Sequence, residues 1–227
     1  SARALKAAAR LIGEVKNMNP MGADPGTDAR GLNACPLLVL TGGPGAGKTA
    51  ILETARRSLG SRGAILPEAA TILFGGGFWR SGSVPGRKAA QRAIFHIQTQ
   101  QERMLREEGT ASFALCDRGT VDGLAYWPDE EQTYWQELGT SRQAELSRYV
   151  AVIHLRTPAA GHGYNHQNPL RTEDSAQAQA IDERILRAWD GHPSRHIVNS
   201  TEDFLVKMTA AIRLIQRYLP ACCRADM

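Results

Sequence analysis

A glycine-rich segment directly after an apolar run constrains this chain more than any other feature. Residues 37–41 read LLVLT and residues 42–49 read GGPGAGKT, which is a complete GxxxxGK[ST] motif. The apolar residues before the motif and the helix-forming residues after it supply the strand and helix that the motif requires. The segment therefore predicts a phosphate-binding loop between the first strand and the first helix of an α/β sheet.

The residue types of this loop indicate its chemistry. Glycine lacks a Cβ atom, so the backbone can wrap closely and point successive N–H groups at the phosphates of ATP or GTP. Lys48 is expected against the outer phosphates, and the Thr49 hydroxyl is expected on Mg²⁺. The residues predicted to bind the nucleotide are Gly42, Gly43, Pro44, Gly45, Ala46, Gly47, Lys48, Thr49 and Ala50, with Asn199 from the last strand end.

The composition limits the classes of protein that fit. At 227 residues the chain suits one α/β domain, and its 27 basic and 23 acidic residues give a net charge of +4. This small excess fits a phosphate-binding cleft better than a nucleic-acid surface. No stretch approaches the ~20 apolar residues of a membrane span. The four cysteines include no CxxC pair, which disfavours a zinc site, and reduced thiols favour the cytoplasm.

Strand-like and helix-like patterns alternate from residue 35 onward, which favours a parallel sheet with crossover helices. The predicted strands are 37–41, 63–66, 112–116, 149–155 and 196–198. The predicted helices are 47–59, 87–108, 173–189 and 201–218. The expected fold class is therefore α/β with three layers, a five-stranded parallel sheet lying between helices.

The residue composition also divides the chain into one domain and two extensions. Residues 1–33 are Ala-rich and then rich in turn formers, and they are predicted to be a mobile N-terminal arm, native or introduced by cloning. Residues 34–220 are predicted to be the domain and residues 221–227 a tail.

Charged residues follow the predicted strands, at the edge where open α/β sheets bind their ligands. Asp117 follows the third strand, where a carboxylate can hold Mg²⁺, and a helix cap is the alternative role. Arg118 can face transferred phosphates or form a surface salt bridge. Glu68 follows the second strand and can take a proton from an attacking hydroxyl, or else begin a helix. With Lys48, these residues are the candidates for catalysis and metal binding.

The segment 156–172 is long, polar and interrupted by glycine and proline, which is typical of a lid. Arg156 and Arg171 stand at its two ends. Closure would bring both cations onto the γ-phosphate and exclude water. Both arginines are therefore candidate catalytic residues.

Three further residues are candidates for binding an acceptor. Trp79 and Arg80 follow a run of glycines and can shape a pocket, or merely cover one edge of the sheet. Gln98 lies on one face of a predicted helix and can hydrogen-bond an acceptor.

Five segments outside the loop carry a resemblance to a known family. They are LPEAATILFGGGFW at 66–79, HIQTQQE at 96–102, LCDRGTVDGLAYWP at 115–128, RTED at 171–174 and DERILRAWDGHP at 182–193. With the loop, they resemble the AAA_28-type P-loop proteins, which are similar to the kinase domain of bacterial nicotinamide riboside kinases and to deoxynucleoside and nucleotide kinases. The resemblance covers about residues 35–218 and implies a P-loop fold of nucleoside- and nucleotide-kinase type.

The resemblance also implies roles for individual residues. Glu68 matches the acidic residue that deoxynucleoside kinases use as a base, and Asp117 with Arg118 matches their acid–arginine pair. Arg156 and Arg171 resemble the arginines of their lids. The acceptor stays open, because members of this family have varied substrates.

Two functions are therefore predicted, and a kinase is the leading one. It would move the γ-phosphoryl group of ATP or GTP, with Mg²⁺, to a hydroxyl of an unidentified small molecule. The alternative is a regulatory NTPase that hydrolyses slowly and acts through a partner. The chain has no N-K-x-D motif, which disfavours a Ras-like GTPase. A homodimer is a candidate assembly.

Overall fold

Five parallel strands form a single sheet in the computed structural model, which describes residues 35–158, 175–201 and 203–223. The strands are β1 Leu37–Thr41, β2 Gly63–Leu66, β3 Phe113–Asp117, β4 Ala151–Leu155 and β5 Arg195–Val198. Their order across the sheet is β2-β3-β1-β4-β5. The sheet and its flanking helices confirm the predicted fold class.

Helices connect the strands and cover both faces of the sheet. They are α1 Lys48–Arg56, α2 Ala69–Gly75, α3 Val84–Glu108, α4 Glu131–Leu138, α5 Arg142–Leu146, α6 Ser175–Ala188 and α7 Phe204–Tyr218, with 3₁₀ helices at Thr120–Tyr126 and Ala221–Cys223. Among the described residues, no helix has the length and apolar character needed to cross a bilayer.

Local sequence sets the bounds of the long helix α3. Ser83 accepts a hydrogen bond from the Gly86 N–H (3.2 Å) at its start, and Pro85 favours the helical backbone angle there. Gly109 ends the helix in the left-handed conformation, at φ 63°. The helix begins three residues earlier than predicted because this cap and proline precede the periodic pattern.

Alternate residues of each strand point to opposite faces of the sheet, and apolar side chains are buried on both faces. Leu37 and Val39 pack with Trp189 in one cluster. Leu38 and Leu40 pack in the other, together with apolar residues of α1 and α7. The core thus has a helical layer on each side of the sheet.

The strand register brings the polar ends of three strands to one edge. Leu40 of β1 lies beside Asp117 of β3, and Thr41 lies beside His154 of β4. The phosphate loop leaves β1 at this same point. The carboxyl edge of the sheet is therefore where the predicted site residues meet.

Several short elements differ from the sequence prediction. The helices α4 and α5 and the first 3₁₀ helix occupy stretches in which periodicity indicated no helix, because each is shorter than the window that periodicity needs. The helix that the sequence allowed at Glu68 is present as α2, with Glu68 at its N-cap position. At the other end, the Gly60 N–H donates to the Cys223 carbonyl (2.8 Å), so the packed domain extends past the predicted boundary at residue 220. The predicted arm at 1–33 lies outside the described residues.

The four cysteines are free thiols. Cys35, Cys116 and Cys223 are buried, and Cys222 is exposed. Burial raises the pKa of Cys35 and Cys116. The buried thiols therefore serve as small apolar groups in the core.

Candidate functional site

A cavity of about 740 Å³ opens at the carboxyl edge of the sheet. Its walls come from the phosphate loop, the end of β3, α2, α3 and the first 3₁₀ helix. The sequence-predicted residues that line it are Pro44, Gly45, Lys48, Thr49, Glu68, Arg80, Gln98, Asp117 and Arg118. One cavity thus joins the phosphate loop to most of the predicted acceptor side.

The phosphate loop depends on glycine at two positions in particular. Gly42 has φ 137°, and a Cβ there would lie 2.1 Å from the Leu155 carbonyl oxygen. Gly47 has φ 92°, and a Cβ there would meet the ring of Phe204 at 2.5 Å. No other residue type fits either position without displacing backbone or a ring.

Lys48 points back along the loop. Its Nζ donates to the carbonyls of Gly42 (2.9 Å) and Gly43 (3.2 Å). Burial lowers the pKa of Lys48 to about 8. The ammonium is thereby positioned against the loop that would surround the phosphates.

Asp182 of α6 anchors the loop to the rest of the domain, and sequence reasoning missed it. Its carboxylate accepts hydrogen bonds from the Gly43 N–H (2.9 Å) and the Thr157 N–H (3.2 Å). It also contacts His154 Nε2 (2.9 Å) and Arg156 Nε (3.0 Å). Burial opposes its charge, but the hydrogen bonds from His154 and Gly43 lower the pKa of Asp182. The loop is thus held by a buried carboxylate that lies 139 residues after Gly43 in the sequence.

Lys207 of α7 provides a second anchor. Its Nζ donates to the Ala46 carbonyl in the loop (2.8 Å) and to the Arg156 carbonyl at the end of β4 (2.5 Å). The side chain is only 3% exposed, and burial lowers the pKa of Lys207 to about 8. The loop and the end of β4 are therefore fixed to each other from two sides.

Asp117 has the features of a metal ligand. Its Oδ1 atom is buried and accepts no hydrogen bond from any residue of the described ranges. Burial raises the pKa of Asp117 to about 6. A buried carboxylate oxygen without a protein donor is open to a cation or a water, and Thr49 brings a hydroxyl to the same cavity, so these two residues fit Mg²⁺.

Glu68 and Arg118 form an ion pair beside Asp117. Arg118 Nε lies 2.6 Å from Glu68 Oε1, and the Thr71 hydroxyl donates to Glu68 Oε2 (2.6 Å). Burial opposes the charge of Glu68, but the Arg118 guanidinium and then the Lys48 ammonium outweigh it and lower the pKa of Glu68 to about 2. Glu68 is therefore ionised throughout the neutral range.

The backbone at Arg118 is strained. It has φ 72°, the single non-glycine residue with positive φ in the part of the chain that the structure describes. A left-handed conformation costs an L-residue about 1 kcal/mol or more and persists where the surroundings impose it. Ion pairs with Glu68 and with Asp122 (3.2 Å) hold the guanidinium at the cavity wall.

Asp122 is a buried polar hub that the sequence did not indicate. Its carboxylate accepts from the Thr41 hydroxyl, the Gly119 N–H (2.9 Å) and Trp189 Nε1 (3.2 Å), in addition to Arg118. The local signal is a single charged residue within the segment 120–126, TVDGLAY. Asp122 positions Arg118 while also tying β1 to the first 3₁₀ helix.

Residues of α2, the 76–83 linker and α3 also line the cavity. Arg80 places its guanidinium 4.1 Å from the centroid of the Phe74 ring. Arg87 Nη2, which the sequence analysis missed, donates to the Tyr126 carbonyl (3.0 Å). Gln98 lines the cavity, but its Nε2 donates to Glu102 (2.9 Å), so its position is set by a buried carboxylate.

Some predicted site residues lie away from this cavity. Trp79 is 84% exposed, and Asn199 is exposed beyond β5; neither lines the cavity. Arg156 is paired with Asp182 and Glu183 on α6. Arg171 and most of the predicted lid lie outside the described residues.

Arg184, which reads in sequence as an ordinary helical residue, lines the cavity instead. It is exposed and forms no ion pair with any residue in the described ranges. It lines the same cavity as Pro44, Gly45 and Lys48 of the phosphate loop, so it contributes a cation to that cavity wall. An acidic residue followed by an arginine is common on helices, so this pattern could not identify Arg184 as a site residue.

Comparison with known proteins agrees with this architecture. The structure is similar to that of thymidylate kinase from Candida albicans, with a TM-score of 0.50, 12% sequence identity and coverage of 85% of this chain and 98% of that chain. This likeness concerns the fold. In sequence, 133 residues are 25% identical to glutamate–tRNA ligase of Clostridium kluyveri, which is 55% of this chain and 26% of that protein. The chain thus spans about a quarter of that relative's length.

The family comparison covers the site itself. The AAA_28 family model, described as an AAA domain, matches residues 37–204. This range contains the phosphate loop, Glu68, Asp117, Arg118 and Asp182. The chain therefore belongs to the AAA_28 family of P-loop domains, with a fold of the nucleotide-kinase type.

Proposed function

We propose that this protein is a kinase that transfers the γ-phosphoryl group of ATP or GTP to a hydroxyl group of a small molecule. The observation that supports it best is the presence of Lys48 and an ionised Glu68 on one cavity, with space beyond them for an acceptor. The cavity also extends to residues of α2 and α3, and a hydrolase acting on water alone has no need for that space.

The phosphate side would be held by the loop and its neighbours. Loop N–H groups and Lys48 bind the phosphates, and Thr49 and Asp117 hold Mg²⁺. When bound, Mg²⁺ would neutralise negative charge on the phosphates. The anchors Asp182 and Lys207 keep the loop in the conformation that this binding needs. The loop therefore loses little conformational entropy when the nucleotide binds.

The acceptor side would complete the reaction. Glu68 accepts the proton of the attacking hydroxyl. Arg118 and Arg184 place guanidinium groups where negative charge spreads over the transferred phosphoryl group. The strain at Arg118 fits such a function, because strained backbone is retained where geometry matters more than stability.

Nucleotide binding is expected to stabilise the fold measurably. At 100 times its dissociation constant, Mg²⁺ with ATP or GTP should add about 2.7 kcal/mol to the free energy of unfolding. Lys48→Ala should weaken nucleotide binding about 10- to 100-fold, because a charged hydrogen bond is lost. Thermal denaturation with each nucleotide measures this, with Arg103→Ala, an exposed residue of α3, as the control. Absence of stabilisation by both nucleotides would contradict the proposal.

A screen of hydroxyl compounds tests the reaction itself. Release of ADP or GDP that depends on the added compound is the expected result. Release that proceeds equally without any acceptor would instead favour the regulatory NTPase.

A further inference from the structure

We propose that Cys222 and Cys223, which follow α7, are a site of reversible oxidation at which a peroxide links the two thiols as a disulfide. The site lies at the amino edge of the sheet, opposite the cavity, and it goes beyond the proposed kinase activity. Oxidation would release a contact that holds residues 221–223 against the segment before β2.

The two thiols are close together but differ in exposure. The Sγ atoms of Cys222 and Cys223 lie 3.7 Å apart. Cys222 is exposed, whereas Cys223 is 0% exposed. An accessible thiol with a second thiol beside it is the arrangement found in redox-sensing sites, because the second thiol can displace the oxidised oxygen of the first.

Cys223 joins the residues after α7 to the amino edge of the sheet. Its Sγ–H group donates to the Arg62 carbonyl (3.3 Å), and its own carbonyl accepts from the Gly60 N–H (2.8 Å). The Arg62 carbonyl also accepts from the Ser112 N–H (2.8 Å). Arg62 and Ser112 directly precede β2 and β3, so a change at Cys223 acts on the start of two strands.

The surroundings give the two thiols different roles. Burial, and then the neighbouring Cys222 thiol, raise the pKa of Cys223 to about 12. Cys223 therefore stays protonated and does not react with peroxide directly, because the thiolate is the nucleophile. Cys222 reaches solvent, so its thiolate is the group that a peroxide meets first.

The oxidation takes two balanced steps. The Cys222 sulfur forms an S–O bond as the O–O bond of hydrogen peroxide breaks, which gives a sulfenic acid and one molecule of water. The Cys223 sulfur then forms the S–S bond as the S–O bond breaks, and hydroxide leaves with the Cys223 proton as a second water. Two electrons pass from the sulfurs to the peroxide, which is the oxidant.

The resulting disulfide would be strained and easily reduced. Consecutive Cα atoms are about 3.8 Å apart, less than the ~4.4–6.8 Å usual between bridged cysteines. The sulfurs must also close from 3.7 Å to about 2.05 Å, which draws the Cys223 sulfur from the Arg62 carbonyl after its proton is lost. Strained or exposed disulfides are the labile ones, so a thiol reductant would restore the contact.

Peroxide treatment followed by peptide mass measurement tests the site. The full chain is reduced, treated with hydrogen peroxide, unfolded and alkylated, and the tryptic peptide 218–224 (YLPACCR) is then weighed. This peptide should be unalkylated and about 2 Da lighter than its reduced form, and dithiothreitol should restore both thiols. Cys35 and Cys116 should stay alkylatable, as internal controls. Oxidation of the pair no faster than of these controls, or a dimer linked through Cys222 instead, would overturn the proposal.

Two variants separate the roles of the thiols. In Cys223→Ser, oxidation of Cys222 should stop at the sulfenic acid, which dimedone traps. In Cys222→Ser, which replaces an exposed side chain and leaves the buried one in place, Cys223 should stay reduced. Oxidation of Cys223 in Cys222→Ser at the wild-type rate would overturn the assignment of Cys222 as the group that peroxide attacks.

Thermal unfolding measures the release of the Arg62 carbonyl. The oxidised protein should unfold at a midpoint about 2–4 °C lower, since one buried hydrogen bond is lost, and dithiothreitol should reverse the shift. An unchanged midpoint in fully oxidised protein would contradict the release. None of these measurements uses a nucleotide or an acceptor, so failure of the proposed kinase activity would leave their results unaffected.

Discussion

Glu68→Gln is expected to lower phosphoryl transfer about 10²- to 10⁴-fold while leaving nucleotide affinity nearly unchanged. The glutamine keeps the size of the side chain and its contact with Thr71, but it cannot take a proton. Glu68 does not belong to the phosphate loop, and its charge is a minor influence on Lys48, so the affinity for the nucleotide should change little. The measurements are kcat with a saturating acceptor and the dissociation constant of the nucleotide.

The matched control is Glu107→Gln, at the exposed end of α3, where the carboxylate pairs with Arg103 and with no other residue that the structure describes. It should turn over like the wild type. Wild-type turnover in Glu68→Gln would remove Glu68 from the mechanism. An equal loss of nucleotide affinity and of turnover would instead assign Glu68 to the positioning of Arg118.

Asp182→Ala is expected to lower the free energy of unfolding by about 3–5 kcal/mol, because it leaves buried partners of a charge unpaired. Asp182 is 1% exposed, and it bonds Gly43, Thr157, His154 and Arg156. Urea denaturation measures the loss. Nucleotide binding should also weaken, since the Gly43 N–H would no longer be anchored.

The neighbouring Glu183→Ala provides the control. Glu183 also pairs with Arg156 but is half exposed, so its removal should cost at most about 1 kcal/mol. Equal losses in both variants would contradict the anchoring role of Asp182.

The pH dependence of Asp182 gives a further check. Because the folded protein lowers the pKa of Asp182, its stabilisation is present above the unfolded-state pKa of about 3.9 and is lost as pH falls through the folded value. The difference between wild type and Asp182→Ala should therefore be largest near neutrality and shrink below about pH 4.

Contiguous features of this chain could be predicted from sequence. These features are the phosphate loop, β1 and the positions of Glu68 and Asp117 at strand ends. Each depends on a few neighbouring residues, whose spacing and polarity can be recognised in the sequence. The parallel sheet places all strand ends at one edge, so the convergence of these residues could also be expected.

Contacts between distant residues could not be predicted in this way. Asp182 meets Gly43 across 139 residues, and Lys207 meets Ala46 across 161. Nothing in their own surroundings distinguishes either residue from an ordinary charged position on an amphipathic helix. Their roles depend on how α6 and α7 pack, which is decided by the whole core.

The same reason explains why Arg156 lies elsewhere than expected. The sequence indicates a cation beside the γ-phosphate, but α6 brings Asp182 and Glu183 to Arg156 and leaves Arg184 at the cavity. In the proposed chemistry, Arg184 takes the place that the sequence analysis gave to Arg156. A catalytic role for Arg156 and Arg171 stays a prediction.

The distribution of cysteines makes the chain a reporter of its own unfolding. Thiols react with alkylating reagents only where they reach solvent as thiolates. In the folded protein Cys222 is exposed to solvent, whereas Cys35, Cys116 and Cys223 are buried in two different parts of the core. Mass measurement after brief alkylation therefore counts opened molecules directly, without a label, a nucleotide or any assay of activity.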